Sequence, residues 1–218
     1  LAGTEGEKIT EGLDGLRDRL KEYYSLGARF AKWRAVITIG NELPSEHCIA
    51  ANAHGLARYA SLCQESNIVP IVEPEVLMDG NHTIETCYDV TNKTLDCVFD
   101  VLKLHNVMLD GIVLKPNMVI SALGCNEQAN IDRVSEMTVK VLRQNVPDSV
   151  PGIAFLSGGQ SSDDATEHLN CMNKNNSNMP WNLTFSYGRA LQADALVGWG
   201  GTDRKNGQTN LLKRGESN

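Results

Sequence analysis

The sequence lacks any apolar run near the roughly 20 residues that a membrane-spanning helix requires. Its first ten residues lack the basic and apolar regions of a signal peptide. An excess of positive charge is also missing, because the formal net charge is −7. We therefore expect a cytoplasmic protein that binds neither membranes nor nucleic acid, and any phosphate binding must depend on a local site.

Metal-ligand patterns are missing as well. The six cysteines include no C-x-x-C pair, and the five histidines show no ligand spacing. Buried or half-buried free thiols are therefore the expected state of the cysteines. We expect no metal site and no cofactor.

Alternating apolar runs and longer stretches of helical period are what the sequence does contain, and this alternation is typical of α/β units. With 218 residues, a single domain over 1–218 is the default, and about 201–218 begin a polar C-terminal segment. The predicted strands are Phe30–Val36, Ile68–Glu73, Gly111–Lys115, Gly152–Leu156 and Leu183–Tyr187. The predicted helices cover about 10–26, a stretch from Pro44 to Asn67, about 83–104, 127–144 and 163–172, and a stretch after Arg189.

Polar or ionisable residues stand at or near the C-terminal end of every predicted strand. A (β/α)₈ barrel keeps its active site there, and an open doubly wound sheet does so too. Eight units and about 250 residues are typical of a barrel, whereas this chain holds about five units. We expect the first three strands to lie upstream of Leu1, because five units alone would leave two unpaired sheet edges.

Two of these strand-end residues are lysines, Lys32 and Lys115. Two cations in one cleft favour the neutral amine, which can attack a ketone to form an imine. Loss of water from the carbinolamine needs an acid and base, and Glu73 or Glu75 suits that task. Taken singly, however, Lys115 before Pro116 fits a solvated strand end, and Glu73-Pro74-Glu75 fits an exposed turn.

A phosphate site is the second possibility that the strand ends raise. Ser157-Gly158-Gly159-Gln160-Ser161 offers amides and hydroxyls ahead of a helix N-terminus, although glycine pairs also simply form turns. Gly188-Arg189 adds a cation at the end of the next strand. Two such loops on consecutive strands favour one shared phosphate site.

Long motifs in a fixed order carry a family resemblance from Leu1 to about Gly201. The chain resembles the class I fructose-bisphosphate aldolases of animals. The motifs are Phe30-Ala31-Lys32-Trp33-Arg34, Ile71-Val72-Glu73-Pro74-Glu75, Leu114-Lys115-Pro116-Asn117-Met118-Val119, Phe155-Leu156-Ser157-Gly158-Gly159-Gln160-Ser161 and Thr184-Phe185-Ser186-Tyr187-Gly188-Arg189-Ala190-Leu191-Gln192.

The resemblance implies a metal-independent TIM-barrel lyase of glycolysis and gluconeogenesis. Such an enzyme cleaves fructose 1,6-bisphosphate reversibly to dihydroxyacetone phosphate and glyceraldehyde 3-phosphate, usually as a homotetramer. Lys115 matches the Schiff-base lysine, Glu73 the acid/base of carbinolamine dehydration with Glu75 beside it, and Lys32 the second active-site lysine. Arg34 matches the neighbouring arginine. The residues that match the ketose-end phosphate loops are Ser157, Gly158, Gly159, Ser186, Gly188 and Arg189.

Three departures from the family pattern limit what the resemblance implies. Asp110-Gly111 replaces the usual Glu-Gly ahead of the imine lysine. The first three strands are missing, and with them an aspartate used in carbon–carbon cleavage and residues that grip the other phosphate. The C-terminal tail ending in tyrosine is missing too. We expect this chain alone to be inactive.

Two alternatives stay open. One is another Schiff-base enzyme, such as a deoxyribose-phosphate aldolase or a transaldolase, although the long motifs favour the first assignment. The other is a non-catalytic scaffold that binds cytoskeletal or other protein partners. Failure of the complete protein to form an imine would support the scaffold.

Overall fold

A computed structural model describes residues 1–176 and 178–218. Its sheet holds five strands in the order β1-β2-β3-β4-β5, each parallel to its neighbours. A doubly wound sheet would reverse its strand order partway, whereas here the strands lie side by side in the order in which they occur along the chain. The architecture is therefore five consecutive units of a (β/α)₈ barrel, as predicted. The strands are β1 (Phe30–Ile37), β2 (Val69–Val76), β3 (Val113–Leu114), β4 (Gly152–Phe155) and β5 (Asn182–Phe185).

One helix precedes the first strand, and the others connect the strands or follow the last one. They are α1 (Leu16–Ser25), α2 (Glu46–Glu65), α3 (Ile84–Leu104), α4 (Ile131–Asn145), α5 (Ser162–Asn175), α6 (Arg189–Trp199) and α7 (Arg204–Glu216). Side-chain caps fix where five of them, α2 to α5 and α7, begin, because each cap accepts a hydrogen bond from a first-turn amide. The capping residues of α2 to α5 are Ser45, Thr83, Asn130 and Ser161. Within the described residues, no helix combines the length and apolarity needed to cross a membrane.

Several predicted boundaries are wrong, each for a local reason. The first helix starts at Leu16 rather than near 10, because Gly15 takes a left-handed φ of 67°. The third strand loses its beginning because Leu109–Gly111 forms a 3₁₀ turn. The fifth strand ends at Phe185, so Ser186 and Tyr187 belong to the following loop.

The polar segment predicted at 201–218 is largely the helix α7. Its Asp203 cap accepts a hydrogen bond from the Asn206 amide over 3.0 Å. Side-chain amides of Asn206 and Asn210 donate to the carbonyls of Gly198 and Asp194, which attaches α7 to α6. Polar composition therefore coexists here with regular structure.

The hydrophobic core lies between the outer face of the sheet and the helices. Trp33 of β1 packs against Tyr59 of α2 with ring centroids 5.5 Å apart. Val72, Leu114 and Phe155 are fully buried on successive strands. Since side chains alternate along a strand, the residues on either side of Trp33 face the opposite way, towards the barrel interior. All six cysteines lie in the described part of the chain as free thiols, as expected.

Candidate active site

The pairing of β1, β2 and β3 brings Lys32, Glu73 and Lys115 into one cluster, which we call the lysine–glutamate cluster. Nζ of Lys32 lies 2.7 Å from Oε2 of Glu73, and Nζ of Lys115 lies 3.2 Å from Oε1. One carboxylate therefore bridges two ammonium groups. Either lysine is close enough to exchange a proton with Glu73.

Register explains why these side chains meet. Lys32 is opposite Ile71, and Arg34 is opposite Glu73. Each cation on β1 reaches the carboxylate two residues beyond its partner, so Lys32 pairs with Glu73 and Arg34 pairs with Glu75. The hydrogen bond that Arg34 donates to Glu75 raises the pKa of Arg34, and burial partly opposes that rise.

Burial decides between the interpretations that the sequence left open. The Glu73 side chain is 4% exposed, and Lys115 is 12% exposed. Glu75 is buried as well, and both glutamates lie within β2. The exposed-turn interpretation of Glu73-Pro74-Glu75 and the solvated-end interpretation of Lys115 are therefore wrong. Buried charges require partners, and here the partners are one another. Lys32, at 42% exposed, is the member of the cluster that solvent reaches most easily.

Asn117 supports the end of β3 rather than facing open space. Its Oδ1 accepts from the Val76 amide over 3.0 Å, and its Nδ2 donates to Thr91 Oγ1 over 3.1 Å. The side chain is buried. Asn117 thus ties the segment that follows Lys115 to the end of β2.

The loop between β4 and α5 contains three of the predicted phosphate residues. Gly158 has a left-handed φ of 58°, and an added Cβ there would lie 2.7 Å from Met78 Cε. A side chain at Gly159 would meet Met78 Sδ at 2.8 Å. The left-handed backbone favours glycine at Gly158, whereas a side chain at Gly159 would require Met78 to shift. The Gly159 amide points at the Met78 sulfur, 2.7 Å away.

Two side chains stabilise this loop: Gln160, which belongs to it, and His168 of α5, which contacts Gln160. Gln160 Nε2 donates to the carbonyl of Ser157 over 3.2 Å, and His168 Nδ1 lies 2.7 Å from Gln160 Oε1. His168 is buried, and that burial lowers its pKa, with the charge of Asp164 partly opposing. Met78 contacts this loop from 81 positions away and His168 from within the following helix, and neither contact leaves a signal in the local sequence pattern.

The loop between β5 and α6 lies beside the first one. The Ser186 amide donates to the Phe155 carbonyl over 2.8 Å, and the Arg189 guanidinium donates to the Gly158 carbonyl. Gly188 precedes Arg189 as the N-cap residue of α6. We call residues 157–161 and 186–189 the phosphate loops, because all six predicted phosphate residues lie in them.

A cavity of about 110 Å³ lies between the Arg34–Glu75 ion pair and the phosphate loops, and Lys32, Glu73 and Lys115 are not among the residues that line it. Arg34 and Glu75 bound it on one side, and Gly158, Gly159 and Arg189 bound it on the other. It lies at the carboxyl ends of the strands, where barrel enzymes place their active sites. A larger groove of about 530 Å³ lies elsewhere, between α1, α2 and the end of α3, and contains none of the predicted site residues.

Two histidines from different helices meet in that larger groove. Nδ1 of His54 lies 3.3 Å from Nε2 of His105. Burial lowers the pKa of His54, and the charges of His105 and Arg58 lower it further. In the described parts of the chain, no group of three or more His, Cys, Asp or Glu side chains is arranged to hold a metal ion.

Arg214 is a further residue near the phosphate loops that sequence reasoning missed. It is buried, and its Nη1 lies 3.0 Å from Oδ1 of Asp163 in the first turn of α5. In the sequence it is one cation in a polar run, so nothing local distinguishes it from the exposed Lys213.

Comparisons with known proteins identify the family of this chain. The model of the glycolytic family described as fructose-bisphosphate aldolase class-I matches residues 1–218. A probable fructose-bisphosphate aldolase class 1 of Xanthomonas campestris is 61% identical over 199 residues, which are 91% of this chain and 59% of that protein. Cytosolic fructose-bisphosphate aldolase 4 of Arabidopsis thaliana is 51% identical over 220 residues, covering 100% of this chain and 56% of that protein.

A solved structure is similar over the whole chain. It is fructose-bisphosphate aldolase from Plasmodium falciparum, in complex with TRAP and a small-molecule inhibitor. The TM-score is 0.97 at 49% identity, and the match covers 100% of this chain and 64% of that one. The chain thus spans less than two thirds of the length of the proteins it matches.

Proposed function

Because this chain belongs to the class I fructose-bisphosphate aldolase family, we propose that the full-length protein reversibly cleaves fructose 1,6-bisphosphate through a Schiff base on Lys115. The products would be dihydroxyacetone phosphate and glyceraldehyde 3-phosphate. The observation that carries the proposal is the buried Glu73 carboxylate between two lysines, at 2.7 and 3.2 Å. A nucleophilic amine with an acid/base in contact is the arrangement that imine formation requires.

The proposed reaction starts when the neutral amine of Lys115 attacks the ketone carbon. The proton that Glu73 takes from the Lys115 ammonium to free this amine passes to the carbinolamine hydroxyl, which leaves as water and leaves the protonated imine. The protonated imine accepts the electron pair of the adjacent carbon–carbon bond as that bond breaks. The family resemblance places the aspartate that assists this cleavage outside the chain. Lys32 keeps Glu73 oriented through its 2.7 Å contact.

The phosphate loops would bind the ketose-end phosphate. Gly158 and Gly159 bring backbone amides to the cavity, Ser157 and Ser186 supply hydroxyls, and Gly188 and Arg189 begin the next helix. Helix N-termini attract anions, and α5 begins directly after this loop. Arg34 borders the same cavity and supplies a second cation. A phosphate on the Gly159 amide would replace its contact with Met78, so that side chain must move aside.

The test is borohydride trapping with dihydroxyacetone phosphate in the full-length protein, followed by peptide mass mapping. We expect a triose adduct on Lys115 and cleavage activity that chelators do not change. A folded protein that yields no adduct would contradict the Schiff-base mechanism. An adduct that forms while cleavage is lost to a chelator would contradict metal independence.

Location and assembly follow from the same family membership. We propose a cytoplasmic homotetramer that acts on sugar phosphates. A scaffold is the second candidate function, since the related Plasmodium falciparum aldolase was solved in complex with TRAP. Cytoskeletal or other protein partners would then be the ligands. Absence of an imine together with retained partner binding would favour the scaffold.

A further inference from the structure

The guanidinium group of Arg214, on α7, binds the first turn of α5. Its Nη1 lies 3.0 Å from Asp163 Oδ1, and its Nη2 donates to the Ser162 carbonyl over 2.5 Å. The same nitrogen also donates to Thr166 Oγ1. Three acceptors on one helical turn are therefore held by one side chain from the end of the chain.

That turn is also attached to the second phosphate loop and its helix. Ser162 Oγ donates to the Ala190 carbonyl over 2.8 Å. Tyr187 Oη donates to the Ala165 carbonyl over 2.7 Å. The turn follows directly after Ser161, the last residue of the first phosphate loop and the cap of α5. Its position therefore affects the geometry of both loops.

The location of Arg214 is unfavourable unless its contacts are made. Its side chain is 11% exposed while that of Asp163 is 86% exposed, so the cation is far more buried than its partner. Its Nε is buried without a hydrogen-bond partner among the described residues. Only the planar fork of an arginine can reach these acceptors together, whereas a lysine offers a single nitrogen.

We propose that Arg214 is a positioning residue for phosphate recognition: it fixes the first turn of α5 so that the Ser157–Ser161 amides keep the geometry that binds the ketose-end phosphate. Arg214 acts through the loop and does not touch substrate. The role in catalysis rests on the proposed function, whereas the effect on the loop does not.

The main variant is Arg214→Met in the full-length protein, and its matched control is Lys213→Met, the same charge change at an exposed neighbour. We expect Arg214→Met to raise KM for fructose 1,6-bisphosphate by on the order of 10-fold or more, since small misplacements weaken recognition strongly. Imine trapping by dihydroxyacetone phosphate should weaken, whereas trapping by unphosphorylated dihydroxyacetone should not. A residue needed only for folding would weaken both.

Two measurements do not depend on catalytic activity. In Arg214→Met, the amides of 157–161 should exchange hydrogen faster than in the wild type and in Lys213→Met, and inorganic phosphate should bind more weakly. Arg214→Lys keeps the positive charge but loses the planar guanidinium group. It should also speed amide exchange and weaken phosphate binding, and it replaces the methionine variant if that variant does not fold.

Unchanged exchange and phosphate binding in Arg214→Lys would overturn the inference. Equal losses with the two ketones would overturn it as well. A wild-type protein that binds inorganic phosphate through this loop but forms no imine would contradict the proposed function alone.

Discussion

The lysine–glutamate cluster and the phosphate loops are two halves of one candidate site, built in different ways. The cluster lies on paired strands, and its distances follow from the register of β1 against β2. The phosphate loops lie between elements and depend on side chains outside them: His168 contacts Gln160 of the first loop, and Arg214 holds the helical turn that follows it. Backbone pairing therefore positions the groups for chemistry, while side-chain contacts position the groups for recognition.

Removing the nucleophile Lys115 should give the largest loss of activity, and it should affect the lysine–glutamate cluster but not the phosphate loops. Lys115→Met should abolish imine trapping and lower kcat by on the order of 1,000-fold or more, because the covalent step has no substitute. Binding of inorganic phosphate should remain. The control is Lys93→Met, at an exposed position on α3. Full trapping on Lys32 in the Lys115→Met variant would show that the roles of the two lysines are assigned wrongly.

Substituting Glu73 and Glu75 one at a time should show which of them acts as the acid/base. Glu73→Gln should slow imine formation by about 100- to 10,000-fold, the range for loss of a general acid or base. Glu75→Gln should have a smaller effect, because Glu75 pairs with Arg34 and not with the lysines. Single-turnover trapping rates measure the difference. Equal effects would mean that the contact between Glu73 and the lysines does not determine its role.

Arg189→Met should weaken recognition while leaving the chemistry intact. Loss of a charge-assisted hydrogen bond corresponds to about 10- to 100-fold in KM for the bisphosphate. Trapping by unphosphorylated dihydroxyacetone should be unchanged, because Arg189 lies in a phosphate loop. Arg204→Met, at an exposed arginine on α7, is the control. A fall in kcat with KM unchanged would contradict the division between the two halves.

A mild acid sensitivity of the phosphate half, to which His168 contributes, is the smallest expected effect. Burial lowers the pKa of His168 from its ordinary value of 6.5, so the unfolded chain binds a proton more readily than the folded protein. The stability from the neutral imidazole is present above about pH 6.5 and declines as pH falls towards the lowered pKa.

The measurement is thermal unfolding at pH 7.5 and 5.5, together with hydrogen exchange of residues 157–161. His168→Gln should flatten the pH dependence, whereas His47→Gln, at an exposed position on α2, should not. Exchange that accelerates first in β1 and β2 would place the acid-sensitive contacts in the other half.

Local pattern predicted most of the fold. Alternating apolar periods gave the five strands in order, and caps such as Thr83 and Asn130 lie where those helices begin. Boundaries failed where the backbone departs from regular geometry, as at Gly15 and in the Leu109–Gly111 turn. The family model and the similar solved structure confirm the family and the barrel that the motifs predicted, while the roles of the individual site residues stay predictions.

The sequence by itself determined which residue types stand at the strand ends, and therefore which chemistry is available. Only the tertiary structure decided that Glu73 is buried between Lys32 and Lys115, that His54 meets His105, and that Arg214 holds α5. The reason is physical: periodicity reports which face of an element is apolar, whereas contacts between elements depend on register and packing. A cation in a polar run has the same local pattern whether solvent or a helix turn surrounds it.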